Sequence, residues 1–214
     1  MNVAVIGLGR MGAAIAQRLM AAGHAVVGFD PDKTARLKAK KSGIACVDVL
    51  GDISAQASVF WLMIPAGDPV DAVLAELTPV LRPGAVVVDG GNSFYKDSLA
   101  RYKRLKARKV SFIDCGTSGG LHGKKIGYCL MVGGDAAAVK KVTPVFTVIA
   151  APGGFAHVGP AGAGHYVKMV HNGVEYALLQ SYAEGFQLLK QGAYKDLNLA
   201  DLAGLWNHGS IIRS

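Results

Sequence analysis

The chain has 214 residues, about half of them hydrophobic, with 28 glycines and a formal charge of +8. That length holds one large domain or one and a half around a substantial core, and the composition suits a sheet covered by helices and argues against disorder. The basic residues fall mainly in 33–41 and 101–109, which read as solvated faces of short amphipathic helices without aromatic platforms, so nucleic acid is not the expected partner and an acidic small molecule is.

In chain order, short β-branched apolar runs at 3–6, 25–29, 58–63, 85–89 and 110–114 read as strands. Helical patterns lie around 11–22, 31–41, 69–81 and 95–108. This alternation predicts an α/β fold, a Rossmann-type doubly wound and mostly parallel sheet, and the near-continuous apolarity of the strands fits burial on both faces. A glycine-rich stretch at 116–134 follows, with one strand candidate at 128–132, and a last helix and strand within 136–149 complete the sheet. From 162 to 191 only Gly173 and Gly185 interrupt a helical pattern. Such a helix spans about 45 Å, more than a nucleotide-binding domain needs. The expected division is therefore a dinucleotide-binding domain at 1–161 and, at 162–214, the start of an incomplete helical catalytic and dimerisation domain, with another helix beginning at 199–212.

Cys46, Cys115 and Cys129 show no C-x-x-C spacing, so buried thiols in a reducing compartment are expected. The six histidines are scattered, His165 and His171 lack partners at ligand spacing, and no metal is predicted. Met1 leads straight into a strand and no apolar run reaches bilayer length, so a cytoplasmic protein without membrane partners is the expectation.

Gly7-Leu8-Gly9-Arg10-Met11-Gly12 follows the first strand and opens the first helix, the context in which G-x-G-x-x-G is a strong signal for a dinucleotide. Gly7 permits the tight turn, Gly9 the approach of a pyrophosphate and Gly12 close helix–strand packing. Asp30 lies 18 residues beyond Gly12, where a carboxylate accepts from both ribose hydroxyls of NAD and repels a 2′-phosphate. Pro31 follows with no arginine in the next two positions, although Lys33 and Arg36 are near, so NAD is favoured over NADP. Loops at Met63-Ile64-Pro65-Ala66 and Gly90-Gly91-Asn92 are expected to face the nicotinamide, with Asn92 equally readable as a turn residue.

Lys168, Asn172 and Glu175 stand at relative positions 0, 4 and 7. On a helix they lie at 0°, about 40° and about −20°, with roughly 10 Å of rise between the two ionisable ends. They can form a base and an acid on either side of a small polar molecule, or an ordinary solvated Lys–Glu face. The small and apolar flanks, Gly162-Ala163-Gly164 and Ala177-Leu178-Leu179, favour the first reading. Thr117-Ser118-Gly119-Gly120 offers a hydroxyl and unobstructed N–H groups as a cradle for a carboxylate, though S-G-G alone is more often a turn.

Together these pieces resemble the 6-phosphogluconate dehydrogenases within the wider β-hydroxyacid dehydrogenase group. The resemblance covers the dinucleotide fingerprint, Asp89-Gly90-Gly91-Asn92-Ser93, 116–120, Gly127-Tyr128-Cys129-Leu130-Met131, and Gly162 to Val167 leading into Lys168 to Tyr176. Gly127-Tyr128-Cys129 and Leu205-Trp206-Asn207-His208-Gly209-Ser210 look more like the shorter, NAD-linked branch. The resemblance implies oxidative decarboxylation of 6-phosphogluconate to ribulose 5-phosphate without a metal. It implies Lys168 as base, Glu175 as acid, and Asn172 positioning the C3 oxygen. Ser118, Gly119 and Gly120 would hold the carboxylate, His171 and Asn92 the sugar hydroxyls, and Tyr176 would reach toward the phosphate. The family pattern continues through further helices that complete the phosphate site and a homodimer, so a C-terminally truncated chain is expected. Arg213 is not assigned to the phosphate. A hydroxyisobutyrate or tartronate semialdehyde type of enzyme, or a non-catalytic NAD-binding module, are the alternatives.

Overall fold

The computed structural model describes residues 1–120 and 122–212. In chain order the elements are β1 (Asn2–Ile6), α1 (Arg10–Ala21), β2 (Ala25–Phe29), α2 (Lys33–Lys41), β3 (Ala45–Cys46), β4 (Val59–Leu62), α3 (Asp68–Leu77), β5 (Val86–Asp89), α4 (Tyr95–Lys106), β6 (Ser111–Ser118), α5 (Gly123–Ile126), β7 (Tyr128–Gly133), α6 (Ala136–Ile149), β8 (Ala150–Gly159), α7 (Ala163–Gln191) and α8 (Leu199–Trp206). The strands form one eight-stranded sheet in the order β3-β2-β1-β4-β5-β6-β7-β8. The first six are parallel, β7 is antiparallel to β6, and β8 is parallel to β7.

Alternation along each strand builds two cores. Val3 and Val5, Trp61, Val88 and Ile113 face one side, where Ile15 and Leu19 of α1, Ala39 of α2 and Phe146 of α6 cover them. Ala4 and Ile6, Phe60, Leu62 and Val87 face the other, under Leu74 of α3 and Leu105 of α4. Helices on both faces are what a parallel sheet with both surfaces apolar requires. Because β1 is flanked by β2 and β4, the winding reverses there and leaves a crevice beyond the carboxyl ends of the central strands.

The doubly wound, mostly parallel sheet and the long closing helix match the expectation from sequence, with local corrections. All of 136–149 is helix, with Pro144 inside it, and the strand expected there lies instead at Ala150–Gly159. Val139, Val142, Val145, Phe146 and Ile149 are β-branched or aromatic but bury at helical spacing. Pro152 and three glycines disguise the real strand, and such residues are tolerated because β8 lies at the sheet edge. β6 runs on to Ser118, β3 was not foreseen, and α8 stops at Trp206 short of 212, where Gly209 takes φ +81°.

The chain divides into two compact units, Met1–Met169 and Val170–Ser214. The first holds the sheet and its helices. The second holds the remainder of α7 together with α8, where the rings of Phe186 and Trp206 lie 5.1 Å apart. Among the described residues no helix is long and apolar enough to cross a membrane.

Candidate active site

The first turn at the crevice is built by three glycines with different tasks. Gly7 takes φ +92° and packs so closely under Met63 and Ile64 that a Cβ would overlap the Met63 carbonyl. A Cβ at Gly12 would overlap the Gly7 carbonyl oxygen, so any other residue would push α1 off β1. Gly9 caps α1 with no side chain over the helix end, and a Cβ there would meet nothing within 4 Å. The open face at Gly9, the adjoining helix N-terminus and exposed Arg10 fit a pyrophosphate. Leu8 is buried beside Gly28 and half-buried Met11 packs on the first core.

Asp30 ends β2 with its carboxylate already oriented. Oδ2 accepts from the Leu8 N–H at 2.7 Å and Oδ1 from the Asp32 N–H at 2.9 Å. An ionised carboxylate has about four acceptor sites, so capacity for hydroxyl donors remains. Arg36, left as a rival reading by the sequence, directs its guanidinium to the carbonyls of Asp30 at 2.7 Å and Pro31 at 3.2 Å and to Asp48 at 3.1 Å. Met63 and exposed Pro65 follow β4, and exposed Asn92 follows β5. The two loops meet, since a Cβ at Gly91 would lie 3.0 Å from the Ile64 carbonyl oxygen.

β6 outruns its neighbour β5, whose last pair is Asp89 with Asp114, and carries Gly116, Thr117 and Ser118 past the carboxyl edge of the parallel strands. Gly119 (φ +130°) and Gly120 (φ +48°) then turn the chain in backbone conformations that favour glycine, both exposed. The start of α7 is fastened to this extension. Asp114, wholly buried, accepts from the Gly162 N–H at 2.6 Å and the His165 N–H at 2.9 Å, and Ser98 bonds His165 Nδ1 at 2.7 Å. A Cβ at Gly116 would overlap Cβ of Lys168, and one at Gly164 would overlap the carbonyls of Met131 and Asp114. Lys168 is consequently 7% exposed, and its Cβ is seated against β6 two residues before Ser118.

The structure thus gathers the fingerprint, Asp30, Met63, Pro65, Asn92, Ser118, Gly119, Gly120 and Lys168 within the first unit. Asn172, Glu175, His171 and Tyr176 belong to the second, further along α7. There His171 Nδ1 lies 3.4 Å from Asn172 Oδ1 and 3.9 Å from Glu175 Oε2. Tyr176 is 71% exposed, and Leu178 and Leu179 also face solvent. The apolar flank at Leu178 and Leu179 is therefore open to solvent.

Sequence reasoning missed Asp114, Gly116 and Arg101. Carboxylates closing apolar strands are a legible signal for the first. Arg101, in a run read as a solvated face, is instead 2% exposed and paired with Asp71 and Asp89. Arg213 lies outside the described residues, and among those described no group of three His, Cys, Asp or Glu could hold a metal.

A doubly wound sheet with a glycine turn at its switch point is the architecture of dinucleotide-binding enzymes, and here a buried lysine stands on the helix that follows the sheet. Residues 2–169 match the NAD binding domain of 6-phosphogluconate dehydrogenase, and 164–212 match the C-terminal domain of the same enzyme. An NAD(+)-dependent, decarboxylating 6-phosphogluconate dehydrogenase of Haloferax volcanii is 49% identical over 218 residues, covering 100% of this chain and 72% of that one. The chain belongs to the 6-phosphogluconate dehydrogenase family. Among solved structures, the 6-phosphogluconate dehydrogenase of Plasmodium falciparum superposes with a TM-score of 0.89 at 26% identity, over 98% of this chain and 48% of that one. The 3-hydroxyisobutyrate dehydrogenase of Mycobacterium tuberculosis gives 0.85 at 30% identity, over 96% and 69%.

Proposed function

We propose that this chain carries out, with NAD, the oxidative decarboxylation of 6-phospho-D-gluconate to D-ribulose 5-phosphate and CO2. The observation that carries the reading is Lys168, buried against Gly116 beside the Ser118 to Gly120 turn, on a helix whose start is fastened by Asp114. NAD bound at the glycine turn supplies the hydride acceptor. Lys168, which must be neutral to act as a base, takes the proton of the C3 hydroxyl as hydride leaves C3. The resulting β-keto acid loses CO2, and the ammonium of Lys168 returns a hydrogen bond, then a proton, to the developing enolate oxygen. Glu175, protonated, gives its proton to C1 of the enediol while Lys168 takes back the proton of the C2 hydroxyl, which leaves the ketone of ribulose 5-phosphate. Asn172 orients the C3 oxygen, Ser118 with the N–H groups of Gly119 and Gly120 holds the carboxylate, Asn92 and His171 hold hydroxyls, and Tyr176 reaches toward the phosphate. The aimed carboxylate of Asp30 and the engaged guanidinium of Arg36 support NAD over NADP. We also propose a homodimer, through the apolar surface of α7 and α8.

The likeness to a 3-hydroxyisobutyrate dehydrogenase favours a second reading, a short unphosphorylated hydroxyacid as substrate. NADH formation and CO2 release measured in parallel with 6-phosphogluconate and gluconate separate the two. The expected result is equal amounts of NADH and CO2 from the phosphorylated acid and little from gluconate. NADH without CO2, or equal use of gluconate, overturns the first reading, and NAD binding without turnover of either acid marks a non-catalytic module.

A further inference from the structure

One inward-facing guanidinium stands where two loops of the cofactor crevice meet. Arg101 Nη2 donates to the Gly67 carbonyl at 3.1 Å and to Asp71 Oδ2 at 2.7 Å, and Nε donates to Asp71 Oδ1 at 3.3 Å. Nη1 donates to Ser93 Oγ at 3.3 Å and to Asp89 Oδ2 at 3.5 Å. Asp89 also accepts from the Gly91 N–H at 3.1 Å and from Ser93 Oγ at 2.7 Å. Gly67 ends the loop that starts at Met63, and Ser93 lies in the loop from Gly90 to Phe94. The fork of five N–H donors is needed because the partners lie in different directions, which the point charge of a lysine cannot serve together. A charge this deeply buried is retained only when paired and hydrogen-bonded, and here the pairs with Asp71 of α3 and Asp89 at the end of β5 hold the guanidinium where it also bonds Gly67 and Ser93 of the two loops.

We infer that Arg101 is a positioning residue for the nicotinamide half of the dinucleotide, fixing the 63–67 and 90–93 loops relative to one another. The adenosine half depends on a separate device, Asp30 bonded to Leu8 and Asp32. The inference rests on the cofactor part of the proposed function and not on its substrate.

The test titrates NADH and ADP-ribose, which lacks the nicotinamide, into the full chain and into Arg101→Lys and Ser93→Ala, with circular dichroism recorded for each. In Arg101→Lys the Kd for NADH should rise about tenfold, the loss of about 1.4 kcal/mol that one or two misplaced hydrogen bonds carry, while the Kd for ADP-ribose moves less than about twofold. Ser93→Ala, which keeps the ion pairs and removes only the hydroxyl link, should shift NADH selectively by about threefold. Equal weakening of both ligands, or no weakening of either in folded variants, overturns the assignment. If Arg101→Lys does not fold, the selectivity of Ser93→Ala decides alone. A wild-type chain that binds NADH but does not turn over 6-phosphogluconate overturns the substrate reading and leaves this comparison standing. A wild-type chain that binds neither ligand overturns the cofactor reading and this assignment with it.

Discussion

Lys168 and Glu175 differ in what surrounds them, and the difference predicts different phenotypes. Lys168 is buried on the first turns of α7, whereas Glu175 lies in the more exposed stretch with His171 3.9 Å away. In the proposed mechanism Lys168 is the base, and Lys168→Ala should then cut NADH formation by about 10²–10⁴-fold, the usual contribution of a positioned general base. Glu175→Gln should leave oxidation measurable while product formation falls, because protonation of C1 follows hydride transfer. Rapid-mixing NADH absorbance together with ribulose 5-phosphate quantification separates these steps, and near-normal turnover by Glu175→Gln would remove the acid assignment. Cys115 and Cys129 make a second contrast. Cys115 is wholly buried, and burial pushes its thiol above the ordinary range, while Cys129 is exposed on β7. Only the thiolate reacts. Iodoacetamide at mildly alkaline pH should therefore label Cys129 in the native protein and reach Cys115 only in denaturant. Peptide mass spectrometry showing native labelling of Cys115 would contradict the packing around β6.

At the scale of elements, the junction of β6 with α7 controls where the lysine stands. Gly116→Ala would force a methyl into the space of Lys168 Cβ, so α7 must shift or β6 must bend. Overpacking of this kind costs about 1–3 kcal/mol in stability, and a displacement of about 1 Å at a reacting group costs about 10²-fold in rate. The expected outcome for Gly116→Ala is a moderate loss in denaturant midpoint with a much larger loss in kcat; a fall in stability with kcat intact would separate this contact from the chemistry. That junction also marks how far the sequence was legible. The glycine turn, Asp30 and the strands β1, β2, β4 and β5 could be read because local period and turn chemistry decide them. Gly116 could not, because its need for a small residue comes from Lys168, 52 positions away in the chain. Arg101 was hidden for a related reason. Its neighbours Lys103, Arg104 and Lys106 do belong to a polar face, and only the acids of α3 and β5 draw one member of the run inward. The exchange of strand for helix at 136–149 follows from β-branched residues that bury equally well in either period.

At the scale of the whole molecule, the second unit presents apolar surface that its own residues do not cover. Val174, Tyr176, Leu178, Leu179, Leu188 and Leu205 are each more than half exposed, with Leu188 at 74%, and no described residue of α8 is buried. A set of large apolar side chains this exposed exceeds the scattered exposure normal for a monomer and is the ground for the homodimer proposed above. A two-fold arrangement would present the same patch twice and cover both copies at once, which is the economical way for a single chain to bury it. Sedimentation equilibrium at micromolar concentration should therefore report a dimer, and Leu178→Glu should shift it toward the monomer by placing an unpaired charge in the contact. Dilution below the dissociation range should raise the fluorescence of a hydrophobic-surface dye as the patches separate. A monomer that binds no dye at any concentration would exclude the association, and a dimer indifferent to Leu178→Glu would place the interface on another face of the chain.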